Sequence, residues 1–245
     1  MGLFDAFKKK QCDVCGGEIS MMSNKKLKDG NMCKTCEGKL SRWFGGRRNA
    51  TVAQIKEQLA YREANKAKVD AFDVTRTFGQ GRKLLVDEEK FLFSVSGEEN
   101  PDVLSFEDLT DCTVDVHGRS VEKKYWDKEN NYVSYSPPRH TWYYDFDVVL
   151  QVKHPYFSTM RIQMNAKSVC VEDNGFRFDP EGNANYVSCK EMADQARGYM
   201  LQMRQNMQHR ALAASAPKKA VVCPNCRATT TPDASGCCEY CGSAI

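Results

Sequence analysis

Paired cysteines near both ends of the chain are the residues whose type and spacing best fit a chemical role. Two C-x2-C pairs are separated by seventeen residues near the start, and two more by eleven residues near the end. Two intervening residues let both thiolates of a pair face one ion at Zn–S distances of about 2.3 Å, and two pairs complete a tetrahedron. We therefore predict two structural Zn2+ ions. The predicted ligands are Cys12, Cys15, Cys33 and Cys36 for one ion and Cys223, Cys226, Cys238 and Cys241 for the other.

Four further cysteines lie outside these pairs. Cys237 competes with Cys238 as a ligand, but only Cys238 repeats the C-x2-C spacing, so Cys237 is interpreted as a small apolar filler or a spare thiol. The start of the chain lacks the apolar stretch of a secretory signal, and we expect reduced thiols rather than disulfides. The isolated cysteines, expected to be buried as small hydrophobic residues, are Cys112, Cys170 and Cys189.

Other chemistries of cysteine fit the spacing less well. A redox C-x2-C pair is typical of one pair beside a βαβ unit, and iron–sulfur sites use tighter serial spacings. A catalytic zinc ion keeps one open position, which four thiolates do not leave.

Motifs for catalysis are absent from the sequence. It contains no nucleophile elbow, phosphate-binding loop or dinucleotide fingerprint. We therefore predict that the protein is not an enzyme and has no small-molecule substrate. None of the four histidines lies in a metal or triad motif; they are His117, expected at a strand end, His140, His154 and His209.

The residues around each quartet predict how the ligands are positioned. Gly16-Gly17 and Gly242 follow cysteine pairs where the chain must turn with unusual dihedral angles. A hairpin turn at Asp29-Gly30 leads into Cys33, and the segment EGKLSRWF after Cys36 is predicted to form a short helix. These elements indicate a treble-clef-like finger. The second quartet, with its short loop, indicates a zinc ribbon.

Two helices and several strands are predicted between the quartets. Thr51 and Gln54 form a capping box before a helix over 49–72, which should lie on a surface or bridge two modules. LLVDEEKFLFSV predicts a strand hairpin, and apolar residues alternate from Trp142 to Val152. A second capping box at Ser188 and Glu191 precedes an apolar seam on a terminal helix, formed by Met192, Ala196, Met200, Met203 and Met207.

These patterns predict an α+β protein in which a sheet or barrel is closed by the terminal helix. The zinc finger occupies 1–46, and a helix and connector occupy 47–79. The barrel with its helix occupies 80–210. A linker, low in bulk and containing Pro217, occupies 211–222, and the zinc ribbon occupies 223–245.

Parts of the sequence resemble known families. The MGLF start, the lysine run to Lys10, Leu27-Lys28-Asp29-Gly30 and Cys33-x2-Cys36 resemble a bacterial family whose leading zinc-binding domain has no assigned function. The likeness continues through TVAQIKEQLAYRE and AFDVTRTFG, and it implies a bacterial cytoplasmic protein. The middle segment resembles a pleckstrin-homology or GRAM-like domain through DVLSFEDLTDCTV, the hairpin at His154-Pro155 and the closing helix. An insertion around Tyr125 to His140 departs from that pattern, and the first hairpin lacks the basic cluster of phosphoinositide binders.

Charge bears on the choice of partner. The formal charge of +3 becomes about −1 with two tetrathiolate zinc sites, whereas the first 48 residues carry +6, or about +4 with zinc. That basic segment is either a solvated face or the site of an anionic partner. Leu3, Phe4 and Phe7 before the lysines could touch anionic lipid, while Trp43 and Phe44 are expected to pack the finger against its neighbour rather than stack on bases.

The function predicted from these features is a non-enzymatic, zinc-binding intracellular adaptor that binds a protein partner. No apolar run is long enough to span a membrane. We expect a cytoplasmic protein, with the inner membrane surface as a second location. The alternative is a nucleic-acid-binding protein that uses the basic finger.

Overall fold

The structure is a computed structural model that describes residues 10–20, 23–173, 178–215, 220–233 and 235–245. The chain divides into two compact units, Met1–Arg204 and Gln205–Ile245. Leu3, Phe4 and Phe7, the predicted lipid contact, lie outside the described residues.

Two small hairpins and a short helix form the N-terminal module. The pairing is antiparallel, β1 with β2 and β3 with β4, and the predicted turn at Asp29-Gly30 joins β3 to β4. The helix predicted after Cys36 is wrong, because α1 starts earlier and ends at Glu37, before Gly38, a poor helix former whose amide caps the last turn. The bounds are β1 Lys10–Gln11, β2 Glu18–Ile19, β3 Lys25–Lys26, β4 Asn31–Met32 and α1 Lys34–Glu37.

The next helix, α2 (Val52–Asp70), begins at the predicted capping box. Thr51 Oγ1 accepts from the Gln54 amide at 3.3 Å, and Gln54 Oε1 accepts from the Thr51 amide at 2.9 Å. Ile55 is fully buried in the core of the N-terminal module, whereas Asn65, farther along the helix, binds the segment that precedes β8. Of the two alternatives, a surface position or a bridge between modules, these contacts favour the bridge.

A first four-stranded antiparallel sheet follows α2, with the order β5-β6-β7-β8. The predicted LLVDEEKFLFSV hairpin is confirmed as β6 and β7. Its turn is held by Asp87, a fully buried side chain that accepts from the amides of Lys90 and Asp73, each at 3.0 Å. The strands are β5 Arg76–Phe78, β6 Leu84–Asp87, β7 Leu92–Val95 and β8 Leu104–Ser105.

The second antiparallel sheet is built around one long strand. β10 pairs with β9 along one edge, while β11 and β12 pair with successive parts of its other edge. The strands are β9 Leu109–Trp126, β10 Tyr132–Val152, β11 Thr159–Gln163 and β12 Val169–Asp173. The strand predicted from Trp142 to Val152 is confirmed. The expectation for His117 is wrong, because it lies within β9 rather than at its end. The segment from Tyr125 to His140, an insertion relative to the pleckstrin-like pattern, lies at the tip of the β9–β10 hairpin, where the register shifts between Ser134 and Arg139.

The terminal helix, α3 (Ala184–Ser215), is longer than expected at both ends. Asn183, rather than Ser188, caps it, because Asn183 Oδ1 accepts from the amides of Asn185 and Tyr186. The segment 211–215, predicted to be part of a linker, continues the helix, since ALAAS consists mainly of strong helix formers. The buried seam is also shifted from the prediction, with Met192 and Met207 half-buried; it consists of Tyr186, Cys189, Ala193, Ala196, Met200 and Met203.

The main core lies between α3 and the two sheets. Tyr186 contacts Tyr144 and Phe146 of β10 at ring-centroid distances of 4.9 and 5.0 Å, and Tyr199 contacts Phe78 of β5 at 5.2 Å. The described strands β5 to β12 form two separate four-stranded sheets that do not close into a barrel. The expected barrel is thus replaced by two antiparallel sheets with a packed helix, because the described strands at the sheet edges stay unpaired.

The second unit contains one small hairpin, β13 (Val221–Val222) with β14 (Thr229–Thr230), and an isolated bridge between Cys237 and Ala244. Across the described ranges, no helix combines the length and the apolar character needed to cross a membrane.

Candidate metal centres

The first quartet converges where the N-terminal hairpins meet α1. The Cys12 and Cys36 sulfurs are 3.9 Å apart, as are those of Cys15 and Cys33. All four sulfurs lie within 4.8 Å of one another. Cys12, Cys33 and Cys36 are buried in the module's apolar core, and Cys15 is exposed.

The second quartet converges in the C-terminal unit. The Cys223 and Cys241 sulfurs are 3.5 Å apart, and those of Cys226 and Cys238 are 3.7 Å apart. These four sulfurs also lie within 4.8 Å of one another. Cys223 and Cys238 are buried, whereas Cys226 and Cys241 are exposed.

The spacing of the sulfurs matches a tetrahedral metal site. A tetrahedron with Zn–S bonds of about 2.3 Å has edges of about 3.8 Å, close to the four distances just given. A disulfide would instead bring two sulfurs to about 2.05 Å. Each quartet can therefore hold one metal ion such as Zn2+, with all four positions filled by protein sulfur.

The same backbone turn supports three of the four cysteine pairs. In each, the residue four positions after the first cysteine has a positive φ and donates its amide to that cysteine's carbonyl: Gly16 to Cys12 at 2.7 Å, Arg227 to Cys223 at 2.8 Å and Gly242 to Cys238 at 2.8 Å. The turns expected at Gly16 and Gly242 are confirmed. No sequence signal marks Arg227, since a positive φ is uncommon for a residue with a side chain.

The remaining pair is positioned by α1 instead. Cys33 is the N-cap of α1, and its sulfur accepts from the Cys36 amide at 3.4 Å. The Cys12 sulfur accepts from the Cys33 amide at 3.3 Å. Amides directed at sulfur stabilise the thiolate form that binds metal.

Within each quartet the thiols differ in acidity. Burial disfavours ionisation of Cys12, but the amides of Cys33, Cys15 and Val14 outweigh it and lower the pKa of Cys12 to about 7. Burial and the neighbouring thiols raise the pKa of Cys36. In the second quartet, the Ser243 hydroxyl and amide and the Asn225 side chain lower the pKa of Cys241 to about 5. Crowded thiols oppose one another's ionisation, and a bound divalent cation relieves that opposition.

The cysteines outside the quartets differ in burial. The expectation of burial is confirmed for Cys112 and Cys189 and is wrong for Cys170, which is exposed on β12. The structure brings Cys238 rather than Cys237 into the cluster. The Cys237 amide donates to Asp233 Oδ1 at 2.9 Å, and its thiol points to the Ser235 carbonyl.

A buried polar network joins the N-terminal module to the first four-stranded sheet. Asp102, which precedes β8, accepts from Arg62 Nη1 and from Ser41 Oγ, each at 2.7 Å. Arg62 also donates to the carbonyls of Lys39 and Asn100. Arg62 and Asp102 are only 5% and 3% exposed, so this ion pair is shielded from water. The network has no sequence signal, because its members are isolated polar residues far apart in the chain.

Aromatic contacts extend this junction to the second sheet. Phe44 contacts Tyr156 with ring centroids 6.5 Å apart, so its predicted packing role is confirmed, whereas Trp43 lies under the Arg42 guanidinium at 5.1 Å. His154 packs against Tyr61 of α2 and against Phe157, at 5.0 and 3.8 Å.

The environment of His154 favours a neutral ring. Its Nδ1 accepts from the Tyr156 amide at 3.3 Å, and its buried Nε2 has no hydrogen-bond partner among the described residues. Burial lowers the pKa of His154, and the effects of Lys68 and Arg62 add to it, while Asp102 and Asp108 only partly offset the fall.

Stability is therefore expected to fall in acid partly because of His154. Its folded-state pKa lies below the unfolded value of about 6.5, so the unfolded chain binds the extra proton. The contribution of the neutral His154 ring to the free energy of unfolding is intact above about pH 6.5 and is lost as the pH falls from there towards the folded-state pKa. Thermal melting between about pH 5 and 7.5 should show a shallower acid decline in His154→Phe than in wild type. His209→Gln, at an exposed position in α3, is the control, and an unchanged decline in His154→Phe would contradict the assignment.

Comparison with known proteins adds one match. A family model described as a domain of unknown function (DUF4428) matches residues 10–58. The matched segment contains the whole first quartet and ends within α2. Neither a curated protein nor a solved structure matches the chain.

Proposed function

We propose that the protein is a non-enzymatic zinc-binding adaptor whose two structural Zn2+ ions are held by Cys12, Cys15, Cys33 and Cys36 and by Cys223, Cys226, Cys238 and Cys241. The observation that carries the proposal is the pair of tetrahedral sulfur clusters, with nearest sulfurs 3.5–3.9 Å apart. When bound, zinc supplies folding energy that segments of this size cannot obtain from their own apolar cores.

The donor set supports a structural rather than a catalytic metal. Four thiolates fill the coordination of Zn2+ and leave no position for water or substrate. The first cluster also lies inside an apolar core that includes Met32 and Ile55, both fully buried. Metal binding there would stabilise packing rather than expose an ion to solvent.

An adaptor role is supported by the connection between the first zinc module and the sheets. Arg62, Asp102 and Ser41 fix that module to the sheet through buried hydrogen bonds. A module held in this way presents its exposed loops at a constant position relative to the sheets, which suits recognition of a protein partner. We further propose that the two sheets and α3 form a divergent pleckstrin-like domain, and that the protein acts in the bacterial cytoplasm or at the inner membrane surface.

The charge arrangement of the zinc module favours a protein partner over nucleic acid. Glu37 contacts Lys25 at 2.9 Å and Arg47 at 3.0 Å, and Glu98 contacts Arg42 at 3.4 Å. These pairs neutralise several cations that phosphate binding would require.

Metal content provides the direct test. Purified, reduced wild-type protein is expected to contain two zinc ions per chain by elemental analysis. Cys238→Ser is expected to lower the content to one, because it removes a buried member of the second cluster. Cys237→Ser is expected to retain both ions and is the matched neighbouring control.

Two outcomes would overturn the zinc assignment. One is wild-type protein, purified without chelator, that carries no near-stoichiometric metal. The other is equal loss of metal in the Cys237 and Cys238 variants. Cys170→Ser changes an exposed cysteine outside both clusters and controls for non-specific thiol effects.

A further inference from the structure

β9 pairs with β10 along one edge, and its other edge is open. Among the described strands, this is the longest edge that no other strand covers. β9 contains 18 residues, and it pairs only with β10 among the described strands. α3 reaches this edge near its start, where Arg204 contacts the Thr110 carbonyl. Beyond Cys112, whose amide donates to Asp111 Oδ1 at 2.8 Å, the edge presents backbone donors and acceptors that can pair with another strand.

The charged residues of β9 are segregated along its length. Alternate residues share one face of the sheet, opposite the face that carries Tyr144 and Phe146 and packs against α3. Acids occupy the first half of this face and cations the second half. In order the face carries Asp111, Thr113, Asp115, His117, Arg119, Val121, Lys123 and Tyr125.

This order is self-complementary when a strand runs antiparallel to a copy of itself. We propose that two copies of the chain pair through the β9 edges, related by a two-fold axis at His117. Residues directly opposite each other in such a pair share a face of the joined sheet. The register places Asp111 opposite Lys123, Thr113 opposite Val121 and Asp115 opposite Arg119, with each contact occurring twice.

Charge complementarity selects this register over its neighbours. It contains four opposite-charge pairs on one face, and on the other face Glu122 lies opposite Cys112. No like charges face each other from Thr110 to Lys124. A shift of two residues in either direction separates the acids of this face from its lysine and arginine, because Asp115 then faces Val121 or His117. Charged residues that only prevent aggregation through a sheet edge need no such order, because charges of a single sign along the strand are sufficient for that purpose.

Within one copy, the same charges are available at the surface. Asp111 is exposed, and Lys123, which is partly exposed, contacts Glu172 of β12. Arg119 lies over the Tyr143 ring at 4.5 Å, which leaves its guanidinium edge open. Asp115 contacts Arg161 at 2.8 Å and His117 at 3.1 Å while remaining 42% exposed at its side chain.

Sedimentation velocity of the zinc-loaded full chain tests the proposal. We expect a concentration-dependent monomer–dimer equilibrium at low salt that weakens as salt is added, because exposed ion pairs are screened. Lys123→Asp places two aspartates opposite each other at both ends of the interface, and Asp111→Lys does the same with lysines. Each variant alone should raise the dimer dissociation constant about tenfold or more.

Mixing the two variants provides the specific signature. In a mixed dimer, the lysine introduced at position 111 of one copy faces the aspartate introduced at position 123 of the other, and the unchanged Asp111 and Lys123 also face each other. The mixture should therefore dimerise with close to the wild-type dissociation constant, whereas each variant alone dimerises more weakly. Lys128→Asp reverses a charge in the turn beyond β9 and should leave the wild-type equilibrium unchanged.

Several results would overturn the proposal. These are a monomer at the highest concentration reached in low salt, a dissociation constant that neither single reversal raises, and a mixture that dimerises no better than either variant alone. Hydrogen exchange on wild-type protein gives evidence that does not depend on variants folding. Amides between 113 and 121 should gain protection as concentration rises, and unchanged exchange there would also reject β9 pairing.

Discussion

Asp102→Ala is expected to lower the free energy of unfolding of the first unit by about 3–5 kcal/mol. The side chain of Arg62, 6% exposed, would then lose the nearer and better buried of its two carboxylate partners and keep only Glu98, at 3.4 Å. For a unit of this size that loss corresponds to a fall in Tm of roughly 6–20 °C. Thermal melting and urea unfolding measure both quantities.

Two further variants separate this effect from a general loss of charge. Glu63→Ala removes an acid from an exposed ion pair on the same helix, with Lys66, and should cost less than about 1 kcal/mol. The double variant Arg62→Met with Asp102→Leu removes both buried charges and should recover part of the loss. If Asp102→Ala were as stable as Glu63→Ala, the buried pair would not join the two modules.

Cys36→Ser is expected to have an even larger effect on the N-terminal module. A structural Zn2+ site contributes about 10–16 kcal/mol of apparent binding free energy, more than a small module retains without it. The sulfur of Cys36 also lies in the apolar core that contains Ile55, so loss of the ion should release the start of α2. Hydrogen exchange of the α2 amides, together with zinc content, measures this coupling.

Cys241→Ser is the control, because it removes a ligand from the other compact unit. It should also lose one zinc ion, yet leave exchange at Ile55 and its neighbours unchanged. Equal loss of α2 protection in both variants would contradict a specific link between the first site and α2.

Local spacing in the sequence was sufficient to predict several features of the fold. The C-x2-C pairs, the Thr51–Gln54 capping box and the β6–β7 hairpin are each encoded within a few residues, and each occurs in the structure at the predicted position. Alternation from Trp142 to Val152 identifies the central strand of the second sheet. Short-range patterns thus specify the clustered sulfurs, the start of α2 and several strands of the two sheets.

Prediction from the sequence fails where contacts between distant residues, or a choice between two possible helix caps, determine the structure. Asn183 caps α3, and nothing near it in the sequence distinguishes it from Ser188, which also fits a helix cap. His117 lies inside β9 rather than at its end, because pairing across the hairpin extends that strand to Trp126. The Arg62–Asp102 pair spans forty positions of sequence, so only the fold reveals it.

The two ends of α2 are constrained in different ways, and the helix fixes the distance between them. Ile55 belongs to the core of the N-terminal module and Asn65 to the contact with the first sheet, about 15 Å apart along the helix axis. One inserted residue would turn every later side chain by about 100° and carry Arg62 away from its carboxylate. Insertions and deletions should therefore be tolerated in the surface turns of this protein and excluded from the helical segment between Ile55 and Asn65.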